Sequence, residues 1–139
     1  MTQYFSSYEQ EFIMPAITGS ADITVSIDGE TSAFPATEFL GYLSWTRLNG
    51  PDAASIYLSY GHDVPAGDDQ SFDLAGSAAT YRDASGNDGY MPTSGELKLT
   101  VVRPEFGTSF KHSGTLDNLT FGGQTPVVVL NGTYTIESK

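Results

Sequence analysis

The sequence predicts an all-β chain folded as a single antiparallel β-sandwich of nine or ten short strands, jelly-roll or Greek-key in style. Three observations lead there. Apolar residues recur at every second position in segment after segment, the period of strands with one wet face. Glycine, asparagine and aspartate punctuate those segments at intervals of roughly ten residues, as in sandwiches and barrels. Helical spacing is confined to Tyr4, Tyr8 and Phe12, where residues 1–15 are expected to form a short helix or an arm ended by Pro15.

The clearest strand is Ala21–Asp28, where Ile23, Val25 and Ile27 oppose Asp22, Thr24 and Ser26. Asp28-Gly29 supplies a hairpin turn, because both residues tolerate positive φ. A second strand, Glu30–Phe34, is stopped by Pro35, which has no N–H for a ladder. Glu38–Leu48 reads as one central strand with apolar bulk on both faces, broken by Asn49-Gly50-Pro51. Ser55–Tyr60 alternates next, and a polar loop leads to a short strand at Ser71–Leu74. Segments at 78–82 and 90–92 flank the loop "DASGNDG". Glu96–Val102 alternates cleanly, and Phe110–Phe121 reads as a strand with an irregularity at Gly114. In "VVVLNGTYTI" we expect one long last strand with a bulge at Asn131-Gly132.

Composition bounds the function. Seventeen acidic residues against six basic ones give a net charge of −11 over 139 residues. Such a chain repels phosphate backbones and anionic lipid, so nucleic acid is not an expected partner. Membrane insertion is not expected either, because no apolar run approaches the roughly 18 residues of a spanning helix. With no cysteine, disulfides, thiolate catalysis and cysteine-ligated metals are excluded. The start, "MTQYFSSYEQEF", lacks the basic and apolar regions of a signal peptide. That leaves the cytoplasm open, although the domain type described below favours an extracellular or cell-surface location.

The acidic loop followed by "SGELKLTV", "HSGTLDNLTF" and "VVVLNGTYTI" resembles small bacterial β-sandwich domains of unknown function found on exported or surface proteins. The likeness spans about the last hundred residues. It implies a fold and a surface location, and it assigns no catalytic residue.

The richest chemical stretch is "YRDASGNDGY", from Tyr81 to Tyr90. Counted from Asp83, an EF-hand has oxygen donors at Asp83, Ser85 and Asn87, but it needs glycine where Asp88 stands and glutamate where Ser94 stands. A strand connection anchored by its flanking tyrosines is the expected reading. The alternative is an irregular calcium site formed by Asp83, Asn87 and Asp88 together with Asp68 or Asp69 from the loop "HDVPAGDDQSFD". The two histidines, His62 and His112, have neither HxH nor HExxH spacing, so a zinc site with Asp63 is a remote alternative. GxSxG elbows and phosphate-binding glycine loops are absent. Catalytic residues are therefore not assigned, no cofactor beyond that calcium is called for, and a small hydrolase is the least favoured class.

Two function classes remain. The first is a non-enzymatic surface, secreted or assembly module that binds a protein partner or its own copies, with residues 1–15 as the contact segment. The second is a carbohydrate-binding module, calcium-aided or not, in which Trp45, Tyr57, Tyr60, Tyr81 and Tyr90 offer aromatic faces to sugar rings. Against the second stands ordinary core packing of strand aromatics. The acceptor-like triplets Asn118-Leu119-Thr120 and Asn131-Gly132-Thr133 are expected to mark turns rather than glycans.

Overall fold

A computed structural model describes residues 17–123 and 125–138; the expected helix or arm over residues 1–15 lies outside them. The described residues are all-β, with ten strands in two packed antiparallel sheets. The strands are β1 Ile17–Ile27, β2 Glu30–Ala33, β3 Glu38–Tyr42, β4 Trp45–Asn49, β5 Ser55–Ser59, β6 Gly67–Asp73, β7 Thr80–Arg82, β8 Ser94–Val102, β9 Lys111–Phe121 and β10 Val128–Ser138. The large sheet runs β2-β1-β10-β9-β8-β6 and the small one β3-β4-β5-β7.

Alternation explains the core. Ile23 and Val25, Leu97, Leu99 and Val101, Leu116, Leu119 and Phe121, and Leu130 and Ile136 turn inward from the large sheet. Leu48, Ile56, Leu58 and Tyr81 meet them from the small sheet. Burying one such aliphatic side chain is worth about 1.5–3 kcal/mol relative to leaving it wet. The β1–β2 hairpin closes through Asp28 and Gly29, at φ 50° and 89°, with Ile27 paired to Glu30.

Several expectations need correction. Glu38–Leu48 is not one strand but the hairpin β3–β4, with Tyr42 paired to Trp45. Its turn, Leu43-Ser44, has no glycine, proline, asparagine or aspartate. Tertiary bonds hold it instead, since the Tyr60 and Val64 amides donate to the Ser44 and Leu43 carbonyls at 2.9 and 3.0 Å while Leu43 is buried. The two-residue turn reverses parity, so Thr46 and Leu48 point inward and Trp45 outward.

The second concerns β6, which begins at Gly67 rather than Ser71 and so takes Asp68 and Asp69 out of a loop and onto a sheet edge. The ladder to β8 slips between Gly67 and Gln70, leaving an extra residue there. Asp69 takes φ 47°, and its amide donates to Thr100 Oγ1 at 3.0 Å. A charged, bulged edge is a poor template for further strand pairing. Third, residues 90–92 form no strand: Tyr90 and Pro92 turn inward and Met91 faces solvent.

The fourth correction is the position of the irregularity in β9. Gly114 stays in register with both Leu99 and Tyr134. The extra residue lies further on: both ladders shift there, beside Gly132 on β10 and Gly95 on β8. Asn118, at φ 53°, is the position common to both shifts. It resets the parity of β9, so Leu116 and Leu119 both face the core. The last strand is continuous, as expected, but the expected bulge at Asn131-Gly132 is not in it: its ladder to β1 runs unbroken there, and the extra residue opposite belongs to β9. Asn118 and Asn131 therefore do not mark turns. They clamp the bulge, with the Asn118 amide donating to Asn131 Oδ1 at 2.8 Å and Asn131 Nδ2 to Asn118 Oδ1 at 3.0 Å.

Candidate functional site

The two acidic segments lie at opposite ends of the sandwich. Ser55, the first residue of β5, pairs with Arg82 at the end of β7, so the 83–89 loop leaves from that end. The 60–66 connection leaves from the other end of β5. Asp68 and Asp69 follow it at the Val101 end of β8. Asp83, Asn87 and Asp88 are therefore not brought together with Asp68 or Asp69.

Within the loop, Asp83 organises its own neighbours. Its carboxylate accepts from the Ser85 and Asn87 amides and from Asn87 Nδ2, all at 3.0 Å, and from the Tyr90 hydroxyl at 3.3 Å. Burial alone would raise this carboxyl's pKa; the bonds from Asn87, Ser85 and Tyr90 outweigh it and hold the group below its usual value. Asp88 turns away to pair with Arg82 at 2.9 Å. The Asn87 side chain presents its N–H, not its oxygen, to Asp83. Among the described residues no three His, Cys, Asp or Glu side chains gather in a metal-holding group. The flanking tyrosines act as expected: Tyr81 and Tyr90 pack at 5.5 Å between ring centres and both contact Phe121.

The histidines are separated in kind. His62 is exposed, whereas His112 is fully buried between the Phe110 and Tyr60 rings, at 4.6 and 5.5 Å between centres. Neither His112 nitrogen has a hydrogen-bond partner. Burial first, and the Arg103 charge second, push its pKa down to about 4, so the ring is neutral at neutral pH.

The five aromatic candidates divide. Tyr60, Tyr81 and Tyr90 are core residues, each under 9% exposed, and offer no face to a ligand. The Tyr60 hydroxyl bonds with those of Thr46 and Tyr134, and burial pushes its pKa up to about 12. Trp45 and Tyr57 remain half-exposed on the outer side of the small sheet, with ring centres 6.1 Å apart and planes at 37°.

Strand register builds a surface around that pair. One row across the sheet is Leu40, Arg47, Tyr57 and Thr80, and the row beside it is Glu38, Asn49, Ser55 and Arg82. A shallow groove follows these rows, lined by Arg47, Ser55, Tyr57, Thr80 and Arg82 and continuing past Asn49 toward Asp52 and Ala53. Arg47 Nε donates to Asn49 Oδ1 at 3.0 Å, and Asn49 Nδ2 donates to Glu38 Oε1 at 2.8 Å. Sequence reasoning missed both arginines. The available signal was that Arg47 stands two residues after Trp45, on the same face, in a chain with only three arginines; reading Glu38–Leu48 as one strand concealed it.

The chain matches no family model, no curated protein and no solved structure.

Proposed function

We propose that this chain is a non-catalytic carbohydrate-binding module whose binding surface is the outer face of the small sheet. The observation that carries the reading is the Trp45–Tyr57 pair beside a groove lined by hydrogen-bonding side chains. An aromatic face accepts the C–H-rich face of a sugar ring, while amide, hydroxyl and guanidinium groups exchange hydrogen bonds with its hydroxyls. Asn49, Ser55, Thr80, Arg47 and Arg82 supply such groups within one groove. Affinity electrophoresis in gels containing single soluble polysaccharides tests this. Retardation by at least one of them is expected, and Tyr57→Ala should abolish it without a large change in melting temperature. Unretarded migration in neutral and acidic polysaccharides alike would overturn the reading.

A protein partner, or further copies of the chain, is a second reading, favoured by a different observation. Phe106 is 82% exposed in the β8–β9 connection, and Val102, the last residue of β8, is 60% exposed. Large apolar groups left in water at one tip suit a protein contact. Light scattering across a concentration series, with Phe106→Ser as control, tests it; a monomer at every concentration and no partner recovered by cross-linking would count against it.

A further inference from the structure

We infer that the ligand of the small-sheet face carries carboxylates, as in a uronic-acid polysaccharide, and that Arg47 receives them. This rests on the carbohydrate-binding reading and goes beyond it by assigning the sugar's charge. Arg47 stands between Leu40 and Tyr57 in the middle of the face, not at its rim. Asn49 accepts from its Nε, and Asn49 is in turn fixed by Glu38. That relay sets the plane of the guanidinium and leaves both terminal nitrogens free of any hydrogen bond among the described residues. A planar fork held this way matches the two oxygens of a carboxylate.

The second arginine of the groove is not equivalent. Arg82 is already paired with Asp88 at 2.9 Å, which is the only ion pair among the described residues. Arg47 has no ion-pair partner among the described residues; Glu38 and Asp52 also line the groove, so the positive charge is local to the Arg47 guanidinium, one strand away from Tyr57. In a chain of net charge −11, an anionic polymer is repelled over most of the surface, so direct contact with the Arg47 fork has to supply the affinity. A neutral sugar would leave the oriented guanidinium facing only hydroxyls. An acidic peptide would satisfy the charge but would leave unused the hydroxyl-binding groups of Asn49, Ser55 and Thr80.

The test is titration calorimetry of the full chain with five probes: polygalacturonate, its methyl ester, a neutral galactan, dextran sulfate and poly-L-glutamate. Polygalacturonate should bind best, and esterification should weaken binding about tenfold, the size of one lost charge-assisted contact. Arg47→Gln should lose about the same tenfold on polygalacturonate and become indifferent to esterification, while Arg47→Lys should lose bidentate geometry and fall between. Melting curves confirm that each variant folds. Preference for the galactan or the methyl ester, equal binding of poly-L-glutamate or dextran sulfate, or an Arg47→Gln variant that still discriminates the ester, each overturns the assignment while leaving a binding module. Failure with every saccharide overturns the module as well.

Discussion

The ring of Tyr134 occupies the space where a side chain at Gly114 would stand. The two residues are partners across the β9–β10 ladder, and a Cβ added at Gly114 would lie 2.6 Å from the Tyr134 hydroxyl oxygen. The glycine is required here by volume, because the ring is fully buried and its hydroxyl is 2.8 Å from that of Tyr60. Gly114→Ala is therefore expected to cost about 2–3 kcal/mol by overpacking, read from urea unfolding. In the double variant with Tyr134→Leu the clash is relieved, so its cost should be clearly less than the sum of the single costs. Strict additivity would show that the ring does not claim that space.

His112 predicts acid sensitivity. Its folded pKa of about 4 lies below the ordinary 6.5, so the unfolded chain binds the proton more readily. Stability is fully present above 6.5, falls as pH drops through the window, and the loss is complete below about 4. The expected loss from this residue is about 3 kcal/mol. Urea unfolding of wild type and His112→Leu at pH 7.5 and 4.5 checks it: the difference between the two proteins should shift in favour of the leucine variant at the lower pH. A pH-independent difference would mean that the ring gains a partner on protonation.

Asp83 predicts a local effect. Its carboxylate holds two amides, one side-chain amide and one hydroxyl of the same loop. Asp83→Ala should accelerate hydrogen exchange at Ser85 and Asn87 while leaving the amides of β8 and β9 protected. A cost of about 1–2 kcal/mol is expected. Because the folded carboxyl titrates below its usual value, the stabilisation is present above the ordinary carboxylate range and disappears as pH falls through the folded pKa. Loss of protection throughout the sheets would contradict a confined role.

The β6 edge predicts solubility behaviour. Asp68 and Asp69 sit at the bulge that spoils the outer ladder of the large sheet. Replacing both with asparagine keeps the edge polar, suits the positive φ at position 69 and removes two of the three carboxylates of β6. Light scattering at high protein concentration should then rise relative to wild type. Unchanged scattering would show that the edge is protected by something other than these charges.

Most strands were legible because their alternation is local and each has one buried face. Ile23 and Val25, or Leu97, Leu99 and Val101, declare their side of the sheet without help from the rest of the chain. The β3–β4 turn was not legible, since Leu43-Ser44 is held by amides of Tyr60 and Val64 that lie some twenty residues on. The β9 bulge had a visible signal in the parity break between Leu116 and Leu119, which the glycine at 114 obscured. Of the binding surface, Trp45 and Tyr57 were found by residue type. Arg47 was not, because its neighbours come from strands whose register depends on that turn.

The doubled register shift at Asn118 also bears on which length changes β9 can absorb. A single residue offsets two ladders at once, so the strands on either side of β9 are set against each other through it. Deleting Asn118 would remove the kink and leave Leu116 and Leu119 two positions apart, the ordinary spacing of one strand face. Leu119 and Phe121 would still face the core and Thr120 would still face out, whereas inserting one residue there would turn all three over. At this position the strand should tolerate the loss of one residue better than the gain of one.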